Sequence, residues 1–239
     1  HENAHLIKSE LAVLKQALHA DVVWDEVVEI ERYTPDQQEY VYDFTVPATQ
    51  TFMTDYGVIV HNTLNSVTYE TEILVKNAQG IIKHVQIGDF VKEHIEKSPK
   101  IDYMSEKDTT YAELDAEQEY YEVPSATEDG RTVWRRIEAV TQHPVINKDG
   151  TNTMLKITTK GCREVIVTKA KSLLQLIDGK IQEVNGDAVK VGEFLPVSRK
   201  PLEYAESHTL NLRTILPPTE YIYGTEMAKA DQVADESHW

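Results

Sequence analysis

VYDFTVPATQTFMTDYGVIVHNT, residues 41–63, is the stretch on which the reading of this 239-residue chain turns. Its first part and its second, TFMTDYGVIVHN (51–62), read as short β-strands with stretches of period two and turn residues between them. The apolar run Val58-Ile59-Val60 ends in His61-Asn62, a hydroxyl residue follows as Thr63, and Ser66 comes three residues later. Asparagine before a hydroxyl amino acid is chemically awkward. Its side-chain amide can attack its own backbone carbonyl and cut the chain. A chain that sets such a residue at the end of an apolar strand raises the question of whether the cut is intended.

Outward from this stretch the pattern stays β. Upstream lies VVWDEVVEIERY (22–33); downstream lie TEILVKN (71–77) and, after the turn Ala78-Gln79-Gly80, IIKHVQI (81–87). Strands resume at TVWRRIEAVTQH (132–143), TMLKITTKG (153–161), REVIVTKAKSLLQLI (163–177) and GKIQEVNG (179–186). Turn signals separate them at Lys148-Asp149-Gly150, Lys160-Gly161 and Asp178-Gly179. VKVGEFLPV (189–197) reads as a strand pair around a turn. Two helices are expected. One spans HLIKSELAVLKQALH (5–19), with Leu6, Leu11, Leu14, Ala17 and Leu18 at helical spacing; the other lies in IGDFVKEHIEK (87–97). Residues 96–132 are acidic and irregular and read mostly as loop, with a strand at EQEYYEV (117–123); the acidic part, 105–128, reads as a solvated insertion. From about Ser207 the composition changes, through LPPTEY to an acidic end, EMAKADQVADESHW.

Composition bounds the function classes. Apolar residues make up 41% and charged residues 27%, ordinary for a soluble globule with an ample core. The net charge of −16 disfavours phosphate contacts, so neither nucleic acid nor an anionic membrane is an expected partner. No apolar run is long enough to span a bilayer, and HENAHLIKSE lacks the basic start and apolar core of a signal peptide. The one cysteine, Cys162, excludes a disulfide framework, and an intracellular, reducing, cytoplasmic setting is expected. His84, His143 and His208 show no metal-ligand spacing and are assigned no role; no metal and no cofactor are expected.

Four blocks then carry a resemblance. Tyr42-Asp43, Phe52, Gly57, Val58-Ile59-Val60, His61-Asn62 and Thr63 resemble the C-terminal end of an intein, a self-splicing element. SVTYETEILV…IGDFV (66–91) resembles an intein's N-terminal end, REVIVTKAKSLL (163–174) the internal block that normally reads Thr-x-x-His, and VKVGEFLPV the Gly-Asp-x-Leu-Pro-Val block after it. A serine start and a threonine follow-on residue are similar to inteins lodged in family B DNA polymerases. The resemblance spans most of residues 22–200. It implies an all-β Hint horseshoe fold, here with a short N-terminal helix.

The order of the blocks is that of a circular permutation, split-derived or engineered. An intein C-terminal part (1–62) precedes a three-residue link (63–65), which precedes the N-terminal part (66–200), and 201–239 is expected to be a remnant of a linker or endonuclease insertion region. Thr63-Leu64-Asn65 is then the whole extein. Three residues span at most about 10 Å, so the two splice junctions must lie side by side.

The resemblance implies a role for each matching residue. Ser66 attacks the carbonyl of Asn65 and turns the amide into an ester; a serine hydroxyl needs a base, strain or an oxyanion site to do so. Thr168 polarises or holds the scissile peptide. Lys171 stands where the block's histidine is usual, and it acts either as a fixed cation or with a lowered pKa. Asp43 orients or shuttles protons between the junctions. Thr63 accepts the acyl group, His61 assists, and Asn62 cyclises to a succinimide. A second histidine often found in the Asp block is replaced by Gln50, read as structural, and Cys162 is read as a spectator beside a turn. The implied partners are flanking extein polypeptides of a polymerase-like host and, for a split parent, a complementary fragment. No endonuclease motif appears, so no DNA cutting is expected. Two other readings remain open: a Hint autoprocessing domain that only cleaves, and a splicing-inactive β-rich interaction module.

Overall fold

The computed structural model describes residues 19–35, 40–61, 66–105, 108–115, 117, 119–147, 150–170, 172–177 and 180–199. The expected helix over 5–19 lies outside them except for His19, as does the whole of 201–239. The described residues all fall within one compact unit, residues 1–204.

The described residues are mostly strand with little helix, the all-β class that the patterning predicts. Val22–Tyr33 forms β1, and its two halves pair with different neighbours. Val22–Glu26 runs antiparallel to Phe194–Ser198 (β16), and Val27–Tyr33 to Met154–Thr159 (β12), with a register irregularity between Val27 and Glu29. Glu164–Thr168 (β13) completes this sheet beside β12. A break of register in a long strand lets it bend and serve two neighbours.

Tyr40–Thr45 (β2) pairs with Ala139–Pro144 (β11), beyond which lie Thr109–Glu113 (β8) and Ile101–Met104 (β7). A third sheet orders Thr132–Arg136 (β10), Tyr121–Ala126 (β9), Glu72–Asn77 (β5) and Ile82–Gln86 (β6). The fourth holds Lys180–Asn185 (β15), Ser172–Ile177 (β14), Ile59–His61 (β4) and Thr51–Met53 (β3). Among the described residues the one α-helix of any length is α1, Ile87–Lys97, in the expected place. It buries Ile87, Phe90, Val91 and His94.

A single large core joins the sheets. Tyr42 and Phe44 of β2 point into it, and Phe44 sets its ring 5.4 Å from Phe52 and 5.5 Å from Phe90. Aromatic pairs at this spacing add to the apolar area they bury. The turn between β3 and β4 needs Gly57, which holds φ +78 and has Ser198 Cβ 3.3 Å from where a Cβ would stand. A side chain there is strained by backbone and neighbour alike.

Three stretches depart from the sequence reading. Residues 96–132 carry three strands where mostly loop is expected: β7 and β8 form a hairpin, and β9 sits between β5 and β10. The acidic stretch 105–128 is no mere solvated insertion, since Thr109, Ala112, Leu114 and Val123 in it are buried. Its outward-facing acids and tyrosines hide a thin inward face from a hydropathy reading. VKVGEFLPV is not a strand pair; it contributes β16 alone, after a turn at Val191-Gly192 whose Gly192 amide donates to the Val27 carbonyl at 2.8 Å.

Candidate functional site

Ser66 and Val67 lie where two sheets meet. Val67 pairs antiparallel with Tyr42 of β2, its amide 3.0 Å from the Tyr42 carbonyl and the Tyr42 amide 2.9 Å from its own. On its other side Val67 bridges to Val167 of β13. One residue therefore stitches the strand carrying Asp43 to the strand ending in Thr168. Ser66 beside it is fully buried, and the Thr168 amide reaches the Ser66 carbonyl at a long 3.4 Å. Three segments far apart in sequence meet at the serine that the block pattern marks as first nucleophile.

Thr168 closes β13 and is 5% exposed. Its hydroxyl has no hydrogen-bond partner among the described residues. A buried hydroxyl left unpaired is destabilising, so the position holds something that stability alone does not select. Asp43 is buried on β2, on the opposite face of the strand from Tyr42 and Phe44, and its Oδ1 accepts the Phe44 amide at 2.9 Å. Burial in the core beside Tyr69 and Glu70 pushes the Tyr42 hydroxyl up to about 12, burial being the larger cause. Tyr42 is thus neutral at any ordinary pH.

His143, given no role from sequence, stands against the nucleophile. Its Nε2 is 3.0 Å from Ser66 Oγ, and its Nδ1 is 2.9 Å from the Pro144 carbonyl. It belongs to β11, where it is the cross-strand partner of Val41. Asp43 pairs with Thr141 in the same ladder, so Asp43 and His143 are diagonal neighbours on one face. Nothing in a one-dimensional reading marks this histidine; the signal lies in the register of β2 against β11.

His61 ends β4 and is buried, with Nε2 3.1 Å from Glu183 Oε1 of β15. Val60 beside it pairs with Leu173 of β14, so the strand end that leads to Asn62 runs alongside the segment following Thr168. Asn62, Thr63 and Lys171 lie outside the described residues. Gln50 is exposed in a left-handed conformation (φ 53) and Cys162 exposed in another (φ 58), which fits a turn residue and a spectator.

Among the described residues one group could hold a metal. Asp55, Glu72 and His84 offer ligand atoms within 4.8 Å of one another, a cluster that sequence spacing did not reveal. His84 Nε2 lies 3.3 Å from a carboxylate oxygen of each acid, so the imidazole itself pairs with both. No helix among the described residues is long and apolar enough to cross a membrane.

Comparison with known proteins gives the following likenesses. No family model matches the chain. It is 38% identical over 88 residues, 37% of its length, to the DNA-directed RNA polymerase subunit Rpo1C of Methanocaldococcus jannaschii. It is 33% identical over 92 residues, 38% of its length, to the DNA polymerase II large subunit of Halobacterium salinarum. The chain spans only 10% and 6% of these two proteins. Among solved structures it is similar to the transcription factor IIB Mvu mini-intein, with 25% identity, 54% of this chain and 66% of that one covered, and a TM-score of 0.46. The transcription factor IIB Mja mini-intein gives 26% identity, coverage of 54% and 64%, and a TM-score of 0.39. The PabCDC21-1 intein gives 21%, 56% and 83%, and 0.42. The structural neighbours are inteins and the sequence relatives are polymerase subunits, and in its sequence blocks the chain resembles a polymerase-type intein.

Proposed function

We propose that the chain is a permuted intein of the Hint fold that cuts and rejoins peptide bonds in itself, once per molecule. Residues 1–62 are its C-terminal part, 63–65 a minimal extein, 66–200 its N-terminal part and 201–239 a remnant of the region between them. The observation that carries this reading is the meeting at buried Ser66 of the Asp43 strand and the Thr168 strand. A plain surface turn gives no reason for a fully buried serine beside a threonine hydroxyl with no partner among the described residues.

The chemistry runs in three steps. Ser66 Oγ attacks the Asn65 carbonyl carbon, the C–N bond breaks and an ester forms, leaving the Ser66 nitrogen as a free amine. Thr168 and Lys171 hold and polarise that peptide. Thr63 Oγ then attacks the ester and releases the Ser66 hydroxyl. Last, Asn62 Nδ2 attacks its own carbonyl, assisted by His61, and the bond to Thr63 breaks as the succinimide closes. Asp43 stands between the first two steps as the orienting acid or base. The relatives' names fit a polymerase as the host of the parent element, whose flanking polypeptides are the natural partners.

The Thr63 amine freed by that cut takes the Asn65 acyl group from Thr63 Oγ, so in this order the product of full splicing is a cyclic tripeptide from Thr63-Leu64-Asn65. Such a ring is strained, so cleavage beside Asn62 or Ser66 is the expected outcome. Intact mass of the purified chain over time tests the proposal. Fragments 1–62, lighter by one water than the free acid, and 66–239 are expected. A chain that stays at full mass at every pH between 6 and 9 defeats the proposal and leaves a β-rich interaction module.

A further inference from the structure

We propose that Ser66 and His143 form a catalytic dyad in which His143 Nε2 is the base that takes the proton from the Ser66 hydroxyl, in place of the missing histidine of the Thr168 block. The inference rests on the splicing reading, and it assigns the base that a serine nucleophile requires.

The hydrogen bonds fix the direction of proton transfer. A backbone carbonyl only accepts, so the 2.9 Å contact from His143 Nδ1 to the Pro144 oxygen requires a proton on Nδ1. In the neutral ring Nε2 is then bare, and the 3.0 Å contact to Ser66 Oγ runs from the serine hydroxyl to the imidazole. The order is nucleophile, base and orienter, here serine, histidine and a carbonyl. The ring is held on a rigid strand: β11 pairs with β2 from Ala139 to Pro144 and with β8 from Ala139 to Gln142. The serine is held as firmly, since Val67 bonds to strands on both sides.

The step balances. Ser66 Oγ–H gives its proton to Nε2 as Oγ bonds to the Asn65 carbonyl carbon. The same proton passes from Nε2 to the Ser66 backbone nitrogen as the C–N bond breaks. The ring returns neutral and the amine leaves uncharged. Lys171 then need not act as a base, and it is free to serve as a fixed cation. The titratable groups in register around the ring are Asp43 and Tyr40 on β2, with Asp108 leading into β8 and hydrogen-bonded to Tyr40 at 3.3 Å. Asp43, diagonal to His143, is placed to steady the imidazolium formed in passing.

The test uses the full chain with Asn62→Ala and Thr63→Ala, which halts the reaction at the Ser66 ester. Hydroxylamine near neutral pH captures that ester and cuts between Asn65 and Ser66; mass separates this cut from chemical cleavage at Asn185-Gly186. The expected rate rises with pH as the imidazole loses its proton. His143→Gln keeps a polar group in place but removes the base. It is expected to slow the cut by about 10²- to 10⁴-fold and to abolish the inflection. A His143→Gln chain cut within twofold of its parent, with the same pH profile, overturns the dyad and leaves the splicing reading standing. A parent that is never cut, matching its Ser66→Ala control, overturns the splicing reading and the dyad with it. Thermal unfolding monitors the variant's fold. Nitrogen NMR of His143 in the parent serves if the variant does not fold: a bare Nε2 at pH 8 supports the dyad, and a proton on Nε2 overturns it.

Discussion

Replacing Thr168 by valine separates a functional hydroxyl from a structural one. Thr168 is 5% exposed, and its Oγ1 has no hydrogen-bond partner among the described residues. An unsatisfied buried hydroxyl costs on the order of 1–3 kcal/mol, and valine keeps the β-branched shape while removing the polar atom. Thr168→Val should therefore stabilise the protein by about 1 kcal/mol. For a domain of this size that raises the thermal midpoint by roughly 2–4 °C. Activity should move the other way. If the hydroxyl donates to the Asn65 carbonyl as charge builds there, removing one such donor slows cleavage at Ser66 by about 10²- to 10³-fold. Thermal unfolding by circular dichroism reads the first effect, and hydroxylamine cleavage at Asn65–Ser66 the second. A midpoint that falls by several degrees, with the cleavage rate unchanged, refutes the reasoning. It would mean that the hydroxyl is bonded in the folded protein and serves stability alone.

Other outcomes follow from the same geometry. Phe52→Ala empties a fully buried site beside Phe44, and about 3–5 kcal/mol of stability should be lost, read as a lower denaturation midpoint in guanidinium. The Tyr42 hydroxyl titrates near 12 in the folded protein, against about 10 when free. The unfolded chain loses that proton first, so stability present below pH 10 declines between pH 10 and 12, by about 2–3 kcal/mol in all. Tyr42→Phe should remove this part of the alkaline decline in a pH series of unfolding curves. Glu183→Gln removes the carboxylate beside His61 Nε2; since Glu183 is half-exposed, the rate of cleavage after Asn62 should fall only a few-fold. Gly57→Ala, at φ +78 against Ser198, should lower the thermal midpoint, with unchanged stability counting against a strained turn.

The strands around the deciding stretch were legible because Val, Ile, Tyr and Phe alternate with polar residues there and turn residues punctuate them. The helix at 87–97 was legible for a like reason: Ile87, Phe90, Val91 and His94 return to one face. The β7–β8 hairpin was not, because the four residues of β7 are all exposed and offer no apolar face to read. Ser66 was found through its place in a block. Its base was not, since His143 lies 77 residues away and meets it only once β2 has chosen its register against β11. Sequence spacing likewise missed the grouping of Asp55, Glu72 and His84, which come from three different segments. Short-range periodicity carries the elements, and long-range register carries the site.

In the proposed reaction Ser66 and Thr63 exchange an acyl group across two neighbouring junctions. The most direct measurement divides the chain into residues 66–239 and 1–62, each carrying a foreign tag protein on its extein side, with Thr63 kept at the start of the tag after Asn62. The halves are mixed with and without reductant, and the products are weighed by mass spectrometry. One ligated tag-to-tag product is predicted, formed equally in both conditions because exposed Cys162 takes no part. Cleaved tags with no ligated product, under either condition, would contradict it.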